Sequence, residues 1–138
     1  MIILDGGLGR ELKAMGAPFR QPEWSALALM EGAEYVRAAH DAFLQAGADI
    51  ITTNSYAIVP FHIGEDVFKS RASELLRLSG KLARAAADDA ERHRNDHQNS
   101  PNHPCGLISV MVIIRFLLVY SHQIPPCSRD ITLVMCAW

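Results

Sequence analysis

Two short apolar runs, each halted by glycines or polar residues and each leading toward a helical pattern, constrain the fold of this chain most. Residues 1–4 run into Asp5-Gly6-Gly7-Leu8-Gly9, and the β-branched stretch 48–53 runs into Asn54-Ser55-Tyr56. Runs of this length and type suit strands rather than helices. Between them Tyr35, Val36, Ala39, His40, Phe43 and Leu44 recur at helical spacing, and Gly47 ends that helix. A short helix is expected over residues 10–15 with Gly16 as its left-handed stop, then a proline-bearing loop over 17–22. Phe68, Ala72, Leu75, Leu76, Leu82, Ala83 and Ala86 mark the apolar stripe of a long helix over residues 65–92. The order strand, helix, strand, helix predicts an α/β fold whose parallel strands are buried on both faces.

Charge is unevenly spread over the 138 residues. Residues 1–96 hold 25 of the 28 charged side chains and no cysteine. Residues 97–138 hold only Arg115, Arg129 and Asp130, yet all three cysteines and four of the seven prolines. Residues 95–104 have the composition of turn and loop. The chain therefore reads as an N-terminal unit, 1–96, followed by a loop and an apolar tail, 97–138. Residues 107–120 enclose Arg115 and are too short and too charged for a membrane span, though rich enough in Val and Ile for a buried strand. With 13 Lys and Arg against 15 Asp and Glu, no nucleic-acid partner is expected. The start lacks the basic segment of a secretory leader and the cysteine count is odd, so a cytoplasmic protein without a membrane association is expected.

The chemistry is expected where the strands end. At the carboxyl end of a parallel strand, side chains and glycine backbone face the crevice in which α/β enzymes bind ligands. Asp5 can accept hydrogen bonds from an amine there, and Gly6 lets a ligand approach the main chain. Gly6-Gly7-Leu8-Gly9 lacks the full dinucleotide spacing. The bland alternative is an aspartate that caps the next turn. Thr52-Thr53-Asn54-Ser55-Tyr56 places short donors and acceptors at the second strand end, against the alternative that Asn54 and Ser55 only form a turn.

Three blocks carry a family resemblance: residues 3–12 with their Asp5-Gly6-Gly7, Trp24-Ser25-Ala26 after the proline-bearing loop, and residues 46–56. Together, in this order, they resemble the homocysteine S-methyltransferase family from about residue 2 to residue 95. The resemblance implies a (β/α)8 TIM barrel in which zinc holds homocysteine as a thiolate that attacks the methyl group of a donor such as S-methylmethionine, giving methionine. It implies that Asp5 holds the amino acid part of homocysteine beside Gly6, with Thr53 and Asn54 at the second strand end. In the family, three cysteines hold the zinc, one in a mid-barrel strand and an adjacent pair near the C-terminus. Here Cys105, Cys127 and Cys136 lie in the unmatched tail without an adjacent pair, so no metal ligand and no catalytic residue is assigned. Residues 105–120 offer no recognisable counterpart to the family's third strand. A full barrel needs on the order of 250 residues. The expectation is a partial barrel of two βα units whose tail resembles a frame-shifted or non-coding stretch, inactive alone and binding no zinc. The alternative is a non-catalytic, association-prone chain.

Lesser candidates have plainer readings. His93, His97, His103 and Cys105 fit no standard zinc spacing. His40 lies on an apolar helix stripe and is expected as a hydrogen-bonded core or interface histidine rather than a catalyst. Trp24 suits packing as well as a substrate mouth. Arg71, Arg77, Lys81 and Arg84 read as a solvated helix face balanced by Glu65, Asp66, Glu74, Asp88 and Asp89.

Overall fold

The computed structural model describes residues 1–97 and 109–111. It is mostly helical with few strands. The elements are α1 (Leu8–Ala14), α2 (Ser25–Glu31), α3 (Ala33–Gln45), β1 (Ile50–Thr52), α4 (Pro60–Ile63), α5 (Glu65–His97) and β2 (Ser109–Met111). Cys105, Cys127, Cys136 and His103 lie outside the described residues, as does nearly all of the expected tail.

Local chemistry accounts for the helix ends. Gly16 takes φ +76° after α1, a conformation that L side chains rarely adopt. The Ala17 N–H then donates to the Leu12 carbonyl at 3.0 Å, closing the helix end. Gly47 does the same for α3 at φ +97°, with the Ala48 N–H on the Phe43 carbonyl at 3.1 Å. Pro60 opens α4 at the position where a missing N–H costs nothing. Glu65 and Asp66 stand in the first turn of α5, where the helix dipole favours negative charge.

Packing follows the expected stripes. In α3 the residues Val36, Ala39, His40 and Leu44 are buried. In α5 Leu75, Ala83 and Ala86 are fully buried, and Phe68, Ala72, Leu76 and Leu82 pack partly buried against the cluster that holds Leu75. One core cluster gathers Leu12, Leu29, Val36 and Leu75 from α1, α2, α3 and α5. A second sets Leu44 and Ile51 against Ala83, Ala86 and Ala87, whose small side chains suit a close approach of α5 to β1. The polar face of α5 is paired: Arg71 with Glu74 at 3.3 Å and Arg84 with Asp88 at 3.3 Å. Arg37 joins α3 to α5 by binding both Asp41 and Asp89.

The strands run parallel, as expected, but the first is slighter than its sequence implies. Leu4 makes a single parallel bridge to Ile50, and residues 1–4 form no regular strand. The Ile3 carbonyl accepts from Asp49 N–H at 2.8 Å, and the Asp5 N–H donates to the Ile50 carbonyl at 2.9 Å. The expected burial on both faces fails here: Ile2, Ile3 and Leu4 are 74%, 44% and 53% exposed. Hydrogen bonds hold the segment to Asp49 and to the edge of β1. On the other side, β2 pairs with β1 in register, Ile50 with Ser109 and Thr52 with Met111. A second regular strand, parallel to β1, therefore lies within the Val- and Ile-rich stretch 107–120 that suited a buried strand, although residues 105–120 showed no recognisable family counterpart.

His40 also departs from its expectation. It is wholly buried, yet neither ring nitrogen has a hydrogen-bond partner among the described residues. Burial lowers its pKa to about 4, with Asp41 pulling it up and Arg37 pushing it down, so the ring is neutral at pH 7.

Candidate active site

The carboxyl ends of the N-terminal segment and β1 meet through one side chain. Asp5 Oδ2 accepts the Thr52 N–H at 2.7 Å and the Thr52 hydroxyl at 3.0 Å. Oδ1 accepts only a longer bond from the same hydroxyl, 3.2 Å, and keeps lone pairs for a donor from outside. Burial raises the Asp5 pKa above the usual carboxylate value, against the hydrogen bonds from Thr52, which lower it. Gly6 stands beside it, exposed, where an added Cβ would lie 3.0 Å from the Phe43 ring. The glycine thus admits an aromatic side chain of α3 to the strand end.

Beyond Thr52 the chain turns sharply and is buried. Thr53 and Ser55 share a hydroxyl–hydroxyl bond of 2.9 Å, and the Asn54 Nδ2 donates to the Ser25 carbonyl at 2.9 Å. The second bond ties the end of β1 to the start of α2. Thr52, Thr53 and Asn54 line a cavity of about 540 Å³. The cavity is also lined by Phe19, Trp24 and Tyr56 from loops and by His62 of α4. Trp24 meets Phe19 edge-on, with ring centroids 5.8 Å apart. It has φ +51°, a strained backbone for a bulky residue, held by its N–H bond to the Arg20 carbonyl at 2.7 Å.

Of the four residues singled out, Thr53 and Asn54 line the cavity. Asp5 and Gly6 do not; Asp5 connects to it through Thr52. Thr52 stands in the expected polar run but not among the four, although strand alternation marks it: Ile51 faces the core, so Thr52 faces the other way, toward Asp5. Phe19 and His62 come from loop and short-helix segments with no periodic signal. Trp24 serves both roles, packing on Phe19 and lining the cavity.

The sequence profile described as homocysteine S-methyltransferase matches residues 2–116. The chain belongs to the homocysteine S-methyltransferase family. The match passes the expected limit near residue 95 and takes in β2. Homocysteine S-methyltransferase 1 of Zea mays is 40% identical over 88 residues, covering 63% of this chain and 27% of that protein. The selenocysteine methyltransferase of Astragalus bisulcatus is 39% identical over 87 residues, 62% of this chain and 26% of its own. The metallated form of the Escherichia coli homocysteine methyltransferase MmuM superposes with a TM-score of 0.60 at 28% identity, covering 88% of this chain and 40% of that one. The chain thus spans about a quarter to a third of the length of the curated plant relatives it matches.

The described residues do not fit a zinc centre. They include no cysteine, and among them no group of three His, Cys, Asp or Glu side chains is arranged to hold a metal. No described helix is long and apolar enough to cross a membrane.

Proposed function

We propose that this chain provides the homocysteine-binding part of a homocysteine S-methyltransferase, with residues 1–96 forming the first two βα units of a (β/α)8 barrel. The observation that carries the reading is the Asp5–Thr52 clamp, which joins two parallel strand ends beside a partly apolar cavity. Asp5 receives the ammonium of homocysteine on its spare Oδ1 lone pairs. Gly6 keeps the strand end narrow, and Thr53 and Asn54 form the rigid floor. In the reaction the methyl group leaves a donor such as S-methylmethionine for the homocysteine sulfur, giving methionine, and the thiol proton is released. Zinc belongs to the family reading; no described residue is assigned to hold it, and no step here runs through it. The compartment proposed with this reading is the cytoplasm.

Titration of homocysteine into the purified chain tests the clamp. Binding is expected, and Asp5→Asn should weaken it by about tenfold or more, since a charge-assisted contact to the ammonium is lost. Equal affinity in the two proteins removes Asp5 from the site. The chain by itself is expected to form no methionine from homocysteine and S-methylmethionine; turnover would overturn that part.

A second reading, a non-catalytic chain that self-associates, draws on the exposed Ile2, Ile3 and Leu4. Size-exclusion chromatography across a concentration series separates the two: a monomer at all concentrations removes it.

A further inference from the structure

Trp24 lines the cavity on a backbone that few bulky residues adopt. Its φ is +51° with ψ −129°, and a residue held in such a region persists only where its surroundings fix it. Burial does not fix it, because Trp24 is 41% exposed. Its N–H bond to the Arg20 carbonyl and its edge contact with Phe19 lie within the same loop and move with that loop.

Two longer ties bracket Trp24. One residue after it, the Ser25 carbonyl accepts from the Asn54 amide at 2.9 Å. Two residues before it, the Pro22 carbonyl oxygen lies 2.8 Å from His62 Nδ1. A carbonyl only accepts, so Nδ1 bears a proton and donates it, in the neutral and the charged ring alike. Both donors come from the stretch that follows β1. His62 is rooted there, since the next residue of α4, Ile63, is buried in the core cluster that holds Leu29. The Phe61 ring meets His62 edge-on, with centroids 5.1 Å apart. The loop is thus pinned on both sides of its strained residue to the segment that carries Asn54.

We propose that His62 is a positioning residue: through its Nδ1–H bond to Pro22 it holds the 17–24 loop so that the Trp24 ring keeps its place in the cavity wall before a ligand arrives. A wall set in advance spares the ligand the cost of ordering it. For the ligand this rests on the homocysteine-binding reading, and it adds a residue that acts through Trp24 rather than by its own contact.

The test uses the purified chain carrying Trp138→Phe, which leaves Trp24 as the single tryptophan. Anisotropy decay reads the motion of the Trp24 ring, and calorimetric titration reads homocysteine affinity. His62→Leu removes the donor and should raise the amplitude of the fast anisotropy component about twofold. The same change should weaken homocysteine by about three- to tenfold, the factor that one neutral hydrogen bond is worth. His62→Asn sets an amide nitrogen near the Nδ1 position and should return both readouts to the parent values, a rescue that loss of packing around the ring would not give. His62→Ala carries the test if the Leu variant fails to fold. An unchanged decay without the donor, or a loss that the Asn variant shares, overturns the role of His62 and leaves the homocysteine reading standing. A freed Trp24 ring with undiminished affinity overturns the link between the tie and the ligand. A parent chain that binds no homocysteine overturns the homocysteine reading, while the anisotropy arm still upholds or overturns the tie.

Discussion

The two strand ends that form the candidate site differ sharply in how they are held. At the end of β1, Thr53, Asn54 and Ser55 are 4%, 3% and 5% exposed, bonded to one another and to α2. The N-terminal segment is bonded to Asp49 and β1, and Ile2, Ile3 and Leu4 stand 74%, 44% and 53% exposed. Both ends are polar in sequence. What separates them is burial: the β1 end is held from several sides, while Asp5 keeps its place through bonds to β1 alone, from its backbone to Ile50 and from its carboxylate to Thr52. The site has a rigid half and a half that borrows its rigidity.

The largest test of that contrast is a pair of truncations. Ile51→Ala, at a fully buried position, should destabilise the chain by about 2–5 kcal/mol in denaturant unfolding, whereas Ile2→Ala should stay within about 0.5 kcal/mol. Equal effects would erase the distinction. The buried side also carries a pH dependence through His40. Its folded pKa of about 4 lies below the ordinary histidine value, so its contribution is complete above pH 6.5. It is lost as pH falls from 6.5 through about 4, because the unfolded chain takes up the proton first. The loss is on the order of 3 kcal/mol, and His40→Leu should flatten that part of the stability–pH curve. A curve unchanged by the substitution would show that the ring is not held neutral.

Smaller effects probe the polar floor and the exposed end. Asn54→Ala removes the bond from the buried Asn54 amide to the Ser25 carbonyl and should cost about 0.5–1.5 kcal/mol, with the Trp24 emission shifting as the cavity wall loosens. No change in either would mean that α2 needs no tie to β1. Gly6→Ala should cost about 1 kcal/mol by displacing Phe43, and Phe43→Leu should recover most of it; a cost that persists points to the backbone instead. The smallest effect concerns Asp5. Its folded pKa is raised, so its stabilisation is fully present below 3.8 and lost as pH rises through the raised value. Wild-type stability relative to Asp5→Asn should therefore fall across that window, and a rise would reverse the assigned balance of burial over hydrogen bonding.

The parts of the fold that repeat with a clear period were legible in the sequence. The α3 and α5 stripes, and the glycines that end α1 and α3, fall where spacing and composition put them. α2 was not legible, because Ala26, Leu27, Ala28 and Leu29 are all buried and a helix apolar all round shows no amphipathic period. β2 was legible only as composition: the Val- and Ile-rich stretch 107–120 suited a strand, but a three-residue strand carries no period that fixes its bounds. Of the site, the polar strand ends were visible as residue types at the right places. Their partners were not, because Asp5 with Thr52, Asn54 with Ser25 and His62 with Pro22 are joined across 47, 29 and 40 residues.

The sequence by itself determined α1, α3 and the body of α5, the glycine ends of α1 and α3, the polar strand ends and the family, since each rests on neighbours close along the chain or on contiguous motifs. Only the tertiary structure decided which junction is buried, that Thr52 rather than the solvent receives Asp5, and that a histidine from a four-residue helix faces the same cavity as the end of β1. Burial and hydrogen bonding between distant residues depend on how whole elements pack, and no local pattern encodes that.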